Sequence, residues 1–241
     1  MFDYGHTIVD FRRTEEALLE AYRQIRERIE AALEIEAPEV GHLIERVAGE
    51  VDRLVGASYQ EKRMEELDVL KVFEEVLNAA LGLSVPPDVV GHIVALDHSA
   101  FSHTIVVSED NLGVLRELKD RGHALGLISN VTLLPDLMRK DIDALGIGGL
   151  LDAALFSSEV GVRKPGAKIF REMLDRLGAP ASDAVFVGDR LVDDIWGAQG
   201  VGMRAVLTHE FRQEEGGDVK PDAVIRRLPE LPTVLDRLAA A

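Results

Sequence analysis

Apolar and polar positions follow one another along this chain in two different rhythms, and the change falls near residue 100. In the first part apolar residues recur every three or four positions, the period of an amphipathic helix. Leu18, Tyr22, Ile25 and Ile29 form one such stripe in a run that begins at Thr14 and Glu16 and continues through Leu33. Pro38 restarts the chain, and Leu43, Val47, Val51 and Leu54 carry the same period. Leu67, Leu70, Phe73 and Leu77 make a third stripe between Met64 and Leu83, and Pro86-Pro87 opens a fourth through Ile93 and Leu96. Four helices with short connections predict a small helical bundle over residues 12–97.

From about residue 104 short apolar runs take over. His123–Ile128, Ala153–Phe156, Ala184–Val187 and Arg204–Leu207 read as strands. Helices are expected between and around them, at 111–120, 133–145, 166–177, 194–200 and 228–239. Apolar strands alternating with helices predict a parallel sheet covered on both faces. The expected fold is therefore α/β: a Rossmann-like, doubly wound parallel sheet core made of residues 1–11 and 98–241, with the all-α bundle inserted into it. Only Met1 and Phe2 precede Asp3, whereas a strand usually needs about five or six residues. Either the start lies upstream or the central strand is stunted, and a shortened start is the expectation.

Composition narrows the function. The chain has 241 residues, 46% hydrophobic and 29% charged, which is the make-up of a globular protein with a sizeable core. Its net charge is −16, from 27 Lys and Arg against 43 Asp and Glu. Such a field repels phosphate backbones, so a nucleic-acid partner is not expected. No apolar run approaches a membrane span and no signal-peptide pattern opens the chain, so neither a membrane partner nor export is expected. The absence of cysteine excludes disulfides, thiolate metal sites and cysteine nucleophiles. A cytoplasmic location fits these features, and the apolar helix faces leave monomer and homodimer equally open.

Four short pieces carry the candidate chemistry. They are Asp3-Tyr-Gly-His-Thr7, then Ser129-Asn130, then Arg163-Lys164-Pro165, and then Gly188-Asp189 through Asp193-Asp194 to Gly197-Ala198. Ligands of parallel sheets gather beyond the carboxyl ends of the strands. Ser129 and Asp189 fall at such ends, and Asp3 does too if Phe2 closes a strand. Singly, each piece has a bland reading as a turn, a loop or a solvated acidic face. Their combination in this order is far less ordinary.

In this combination the chain resembles the haloacid dehalogenase-like hydrolase superfamily, specifically members with a helical cap inserted after the first motif. The likeness is strongest in Ser158–Pro165 and Val187–Ala198, and Pro221–Ile225 resembles the family's last strand. The resemblance implies a magnesium-dependent phosphatase of a small phosphorylated metabolite, with the cap closing over the cleft. Asp3 would be nucleophile and metal ligand, Asp189 a second ligand, and the Gly5 carbonyl a third. Asp194 would bind or orient metal-bound water, with Asp193 as its competitor. Ser129 and Asn130 would hydrogen-bond the phosphoryl group, Lys164 would neutralise Asp3 and the phosphoryl oxygens, and Thr7 would brace the loop.

Gly5 departs from the family pattern, which places there an Asp that protonates the leaving group and then activates water. Acid–base assistance of this kind is typically worth about 10²–10⁴-fold. His6 is one replacement, since histidine titrates near neutrality; the alternative is a loop histidine turned away from the cleft. Other chemistries stay open. Family members that cleave carbon–phosphorus bonds also lack the second acid and use a cap lysine, for which Lys62 and Lys71 are the two possibilities here. Dehalogenation needs no metal and fits the acidic cluster less well. A binding or regulatory protein that has lost catalysis is the third reading.

Overall fold

In the computed structural model, which describes residues 1–240, the apolar runs of the second half form strands. They are β1 (Val9–Asp10), β2 (Val106–Val107), β3 (Gly126–Ser129), β4 (Ala153–Phe156), β5 (Val185–Gly188), β6 (Arg204–Thr208) and β7 (Ala223–Ile225). β3 pairs with β4, β5 with β6, and β6 with β7, all parallel. Phe2 joins the two groups by bridging Leu127 on one side and Val187 on the other, again in parallel. The order across the sheet is therefore β4–β3–Phe2–β5–β6–β7. β1 and β2 form a separate antiparallel pair, with Val9 opposite Val107.

The helices are α1 (Glu15–Leu33), α2 (Val40–Leu43), α3 (Gly49–Gln60), α4 (Val69–Leu81), α5 (Pro87–Ser102), α6 (Glu109–Asp120), α7 (Pro135–Ala144), α8 (Ser157–Val160), α9 (Ala167–Leu177), α10 (Gly197–Gln199) and α11 (Leu231–Ala239). The described chain divides into two compact units. One holds residues 1–10, 106–131 and those from 138 onward; the other holds 11–105 and 132–137.

The sheet unit has the expected Rossmann-like α/β architecture. Ile128, Leu155 and Phe186 join one apolar cluster with Ile169, Phe170 and Met173 of α9. Leu127, Val187 and Val206, alternate in their strands and equally buried, point to the opposite face. The Phe170 and Phe186 rings meet edge to face, with centroids 5.2 Å apart. Each such ring, fully buried, contributes about 1.5–3 kcal/mol. The strand expected from His123 begins only at Gly126. Gly122 at φ +85° lets the His123 N–H reach back to the Leu118 carbonyl, so this stretch still terminates α6.

The second unit is all helical. Thr14 caps α1 by accepting the Ala17 N–H, with Glu15 and Glu16 in the first turn. α2 runs through a π-turn (Ile44–Ala48) into α3. Tyr22, Ile25, Ile29, Leu43, Phe73, Leu77 and Ile93 build its core. Two expectations needed correction here. The third helix starts at Val69, not Met64, because Asp68 caps it by accepting the Leu70 and Lys71 N–H groups. Leu70, at the second position of that helix, is exposed, while Val69 and Phe73 turn inward. α5 continues without a break to Ser102, and the Phe11 and Phe101 rings lie 4.5 Å apart within this unit. Residues 132–137 belong to it as well: the Thr132 hydroxyl donates to Glu66 at 2.7 Å, and Leu134 packs on its core. No helix among the described residues is long and apolar enough to cross a membrane.

Candidate active site

The sheet places three of the chemical pieces side by side. Asp3 follows Phe2 between β3 and β5, and its N–H donates to the Val187 carbonyl at 2.9 Å. Ser129 ends β3, and Asp189 follows Gly188, the last residue of β5. A fourth piece arrives from the loop after α8, which carries Lys164. That loop is clamped by Asn130, whose side-chain amide bonds Lys164 at both ends: it accepts the Lys164 N–H at 2.7 Å and donates to the Lys164 carbonyl at 2.9 Å.

Lys164 reaches across from this anchor to two carboxylates. Its Nζ donates to Asp3 Oδ1 at 2.5 Å and to Asp194 Oδ1 at 2.7 Å, with all three side chains buried. The Phe186 ring lies 5.2 Å from the same ammonium, close enough for cation–π attraction. The buried Thr7 hydroxyl donates to the other Asp3 oxygen at 3.2 Å. Asp194 Oδ2 accepts the Arg190 N–H at 2.9 Å, which fixes that carboxylate across the first turn of the π-helix Leu191–Trp196.

Two glycines make the close approach possible. A methyl group on Gly188 would lie 2.3 Å from Asp194 Cγ, and one on Gly197 would lie 2.7 Å from the Phe170 ring and 3.0 Å from Pro165 Cα. Small residues thus let the Asp194-bearing turn settle against both β5 and the Lys164 loop.

The electrostatics are unbalanced. Asp3, Asp189 and Asp194 each present one oxygen, and these atoms all lie within 4.8 Å of one another. Among the described residues two cations face these three carboxylates, the buried Lys164 ammonium and the partly exposed Arg212 guanidinium. Burial, and then the Asp194 charge, push Asp3 up to about 6 although Lys164 pulls the other way. Burial, Asp3 and Asp194 together push Asp189 up to about 7. Burial works against the Lys164 ammonium, but Asp194 and Asp3 outweigh it and raise its pKa. Oxygen-only, anionic and crowded, this donor set fits a hard divalent cation such as magnesium, which takes few carboxylates and relieves their repulsion.

The predicted residues divide clearly in space. Asp194 joins the cluster and Asp193 does not; Asp193 stays half-buried, its pKa raised by burial and by Asp194. Ser129 is buried at the strand end. Gly5 is half-buried in the turn after Asp3. His6 takes a left-handed backbone, φ +58°, and its Nδ1 lies 3.2 Å from Asp10 Oδ1. Burial, followed by the Arg212 charge, lowers its pKa. Lys62 and Lys71 are both exposed. Arg212 escaped the sequence reading altogether. It lies in the loop after β6, and its Nη1 comes within 3.0 Å of Asp189 Oδ2. No motif or period marks it; only its distance from the acidic cluster does.

The haloacid dehalogenase-like hydrolase family model matches residues 1–202. The chain belongs to that family. It is similar along its length to the glyceraldehyde 3-phosphate phosphatase of Methanopyrus kandleri, at 30% identity over 244 residues, 99% of this chain and 97% of the relative. Among solved structures, a 2-haloacid dehalogenase from Pseudomonas syringae pv. Tomato superposes with a TM-score of 0.71 at 27% identity, covering 98% of this chain and 97% of that one. A HAD phosphatase from Thermococcus onnurineus gives 0.62 at 26% identity, covering 97% and 95%.

Proposed function

We propose that this protein is a magnesium-dependent phosphatase of a small phosphorylated metabolite, acting through an aspartyl-phosphate on Asp3. The observation that carries this is the shared Lys164 ammonium between Asp3 and Asp194, with Asp189 in the same buried cluster. A carboxylate that attacks phosphorus must meet a second anion, so the site needs fixed positive charge at the point of attack. The likeness to a glyceraldehyde 3-phosphate phosphatase over nearly the whole of both chains supports the substrate class.

Asp3 would attack the phosphorus and expel the ester oxygen, leaving an acyl-phosphate. Water would then attack that phosphorus, releasing inorganic phosphate and restoring the Asp3 carboxylate. Lys164 holds Asp3 in line and neutralises charge on the transferring group, and Thr7 orients its other oxygen. Ser129 would donate to a phosphoryl oxygen. One N–H of the Asn130 amide remains beyond the one it gives to Lys164 and would do the same. Asp3, Asp189, Asp194 and the Gly5 carbonyl would hold magnesium, which when bound supplies electrostatic stabilisation of the phosphoryl oxygens.

Gly5 brings no proton to the leaving group. With its pKa lowered, His6 is mostly neutral at pH 7 and a weak acid there. The proposal therefore favours substrates whose leaving oxygen departs with little protonation. Phosphate release from an aryl phosphate and a metabolite panel, with and without magnesium, tests it directly. No release from any of them in the presence of magnesium would sink it.

The likeness to a 2-haloacid dehalogenase supports a second reading, halide displacement by Asp3. Metal-independent halide release from 2-chloropropionate, without phosphatase activity, would establish that reading instead.

A further inference from the structure

Lys164 and Arg212 stand differently toward the acidic cluster. Lys164 is buried and divides its ammonium between Asp3 and Asp194, whereas Arg212 approaches Asp189 from the side. Its Nη1 lies 3.0 Å from Asp189 Oδ2, with the aspartate side chain 4% exposed and the arginine side chain 32% exposed. The contact is one of charge, because among the described residues Asp189 Oδ2 accepts no hydrogen bond. A buried carboxylate oxygen with open lone pairs suits a hard cation. A guanidinium already stands beside this one.

The loop that carries Arg212 is fastened on both sides of it. Before it, the His209 N–H donates to the Ile225 carbonyl at 2.9 Å, and Glu210 accepts the Leu228 N–H at 2.5 Å. Beyond it, Glu214 accepts the Leu191 N–H at 3.0 Å, at the start of the π-helix that carries Asp194. These ties hold Arg212 near Asp189 independently of the ion pair, which at a partly exposed arginine contributes little by itself. The position of the guanidinium is thus built into the fold, and its charge acts wherever the acidic cluster takes a ligand.

Together with Lys164, a divalent cation would balance the charge of Asp3, Asp189 and Asp194. Arg212 is then one positive charge in excess, next to the oxygen that the cation needs. A phosphate group, with about two negative charges near neutral pH, offsets that excess. We propose that Arg212 is a positioning residue that couples the cation at Asp189 to an oxyanion beside it. It weakens magnesium binding when no anion is present and ceases to do so when a phosphate-type anion shares the site. Linkage makes the effect reciprocal, so magnesium strengthens anion binding by the same factor. The inference rests on the reading of the acidic cluster as a magnesium site and on no step of the proposed reaction.

Calorimetric titration of magnesium, with and without inorganic phosphate, tests this in the 241-residue chain, in Arg212→Gln and in Arg212→Lys. Arg212→Gln is expected to bind magnesium alone at least about fivefold more tightly, the effect of one unit charge about 4 Å away in water-like surroundings. Phosphate should tighten magnesium binding by a larger factor in the parent than in Arg212→Gln, and the ratio of the two factors should again be about fivefold or more. Direct contact between magnesium and phosphate is common to both proteins and cancels in that ratio. Arg212→Lys, which keeps the charge, should stay near the parent in both quantities. A merely structural ion pair would lower Tm and move neither. Unchanged or weaker magnesium binding in Arg212→Gln, equal phosphate factors, or a lysine variant that behaves as the glutamine one would overturn the proposal. Absence of magnesium binding from all three proteins would overturn it together with the metal site. The expected binding pattern without phosphate release from any ester would sink the phosphatase reading alone and leave this inference standing.

Discussion

Lys164 Nζ lies 2.5 Å from Asp3 Oδ1, and the two residues are 161 positions apart in the chain. A buried ammonium this close to a carboxylate is held by more than mutual attraction. Asp194 shares it at 2.7 Å, and the Asn130 clamp on the Lys164 backbone aims it. Removing one partner of such a group leaves uncompensated buried charge, typically at a cost of about 3–5 kcal/mol. Lys164→Ala should therefore lower stability by that order and reduce phosphate release by at least about 10²-fold, the usual effect of losing one stabilising donor. Thermal unfolding and steady-state kinetics check both. Activity within about threefold of the parent would show that Lys164 does not act at the reacting centre.

Gly188 makes room for Asp194. A β-carbon there would lie 2.3 Å from both Asp194 Cγ and Oδ2, so Gly188→Ala must swing that carboxylate away from Lys164 and the Arg190 N–H. The expected cost is about 1–3 kcal/mol of stability, in line with other overpacked sites. Magnesium affinity, read by calorimetry on the purified protein, should fall at least about tenfold, equivalent to about 1.4 kcal/mol. Unchanged affinity would place Asp194 outside the metal's surroundings.

Restoring the missing acid gives a graded test. Gly5→Asp is expected to raise turnover of alkyl phosphates by about 10²-fold or more, while aryl phosphates, whose leaving groups need little protonation, change much less. The alkyl-to-aryl ratio is the quantity to measure. An unchanged ratio would mean that leaving-group protonation is already supplied by another group.

The crowded carboxylates also predict a pH dependence. Asp3 and Asp189 are raised from an ordinary 3.8 to about 6 and about 7, so the folded protein binds their protons more tightly than the unfolded chain does. That stabilisation is fully present below the unfolded value and is lost as pH rises through 6 and 7. In chelator, Tm should fall between about pH 5 and about pH 8, and Asp189→Asn should flatten the slope. Magnesium, which must displace those protons at low pH, should raise Tm more at about pH 8 than at about pH 5. A magnesium effect independent of pH would argue against carboxylate binding of the cation.

Local pattern accounts for much of this molecule. The stripes at Tyr22, Ile25 and Ile29 and at Phe73 and Leu77 became buried helix faces, because a period of 3.6 is set by neighbours a few residues apart. The runs Ala153–Phe156 and Arg204–Leu207 became strands for the same reason, and the order of the four chemical pieces showed the family. Contacts between distant segments followed a different logic. Which of the adjacent Asp193 and Asp194 turns inward depends on a π-turn packed against β5, and Asn130 spends much of its amide on Lys164 because two loops meet there. Arg212 approaches Asp189 from a loop without any recognisable pattern. Sequence by itself determined the elements, their alternation and the residue types on which the chemistry depends. Only the register of the parallel sheet, which sets Asp3, Ser129 and Asp189 at neighbouring strand ends, decided their distances and hence their charges.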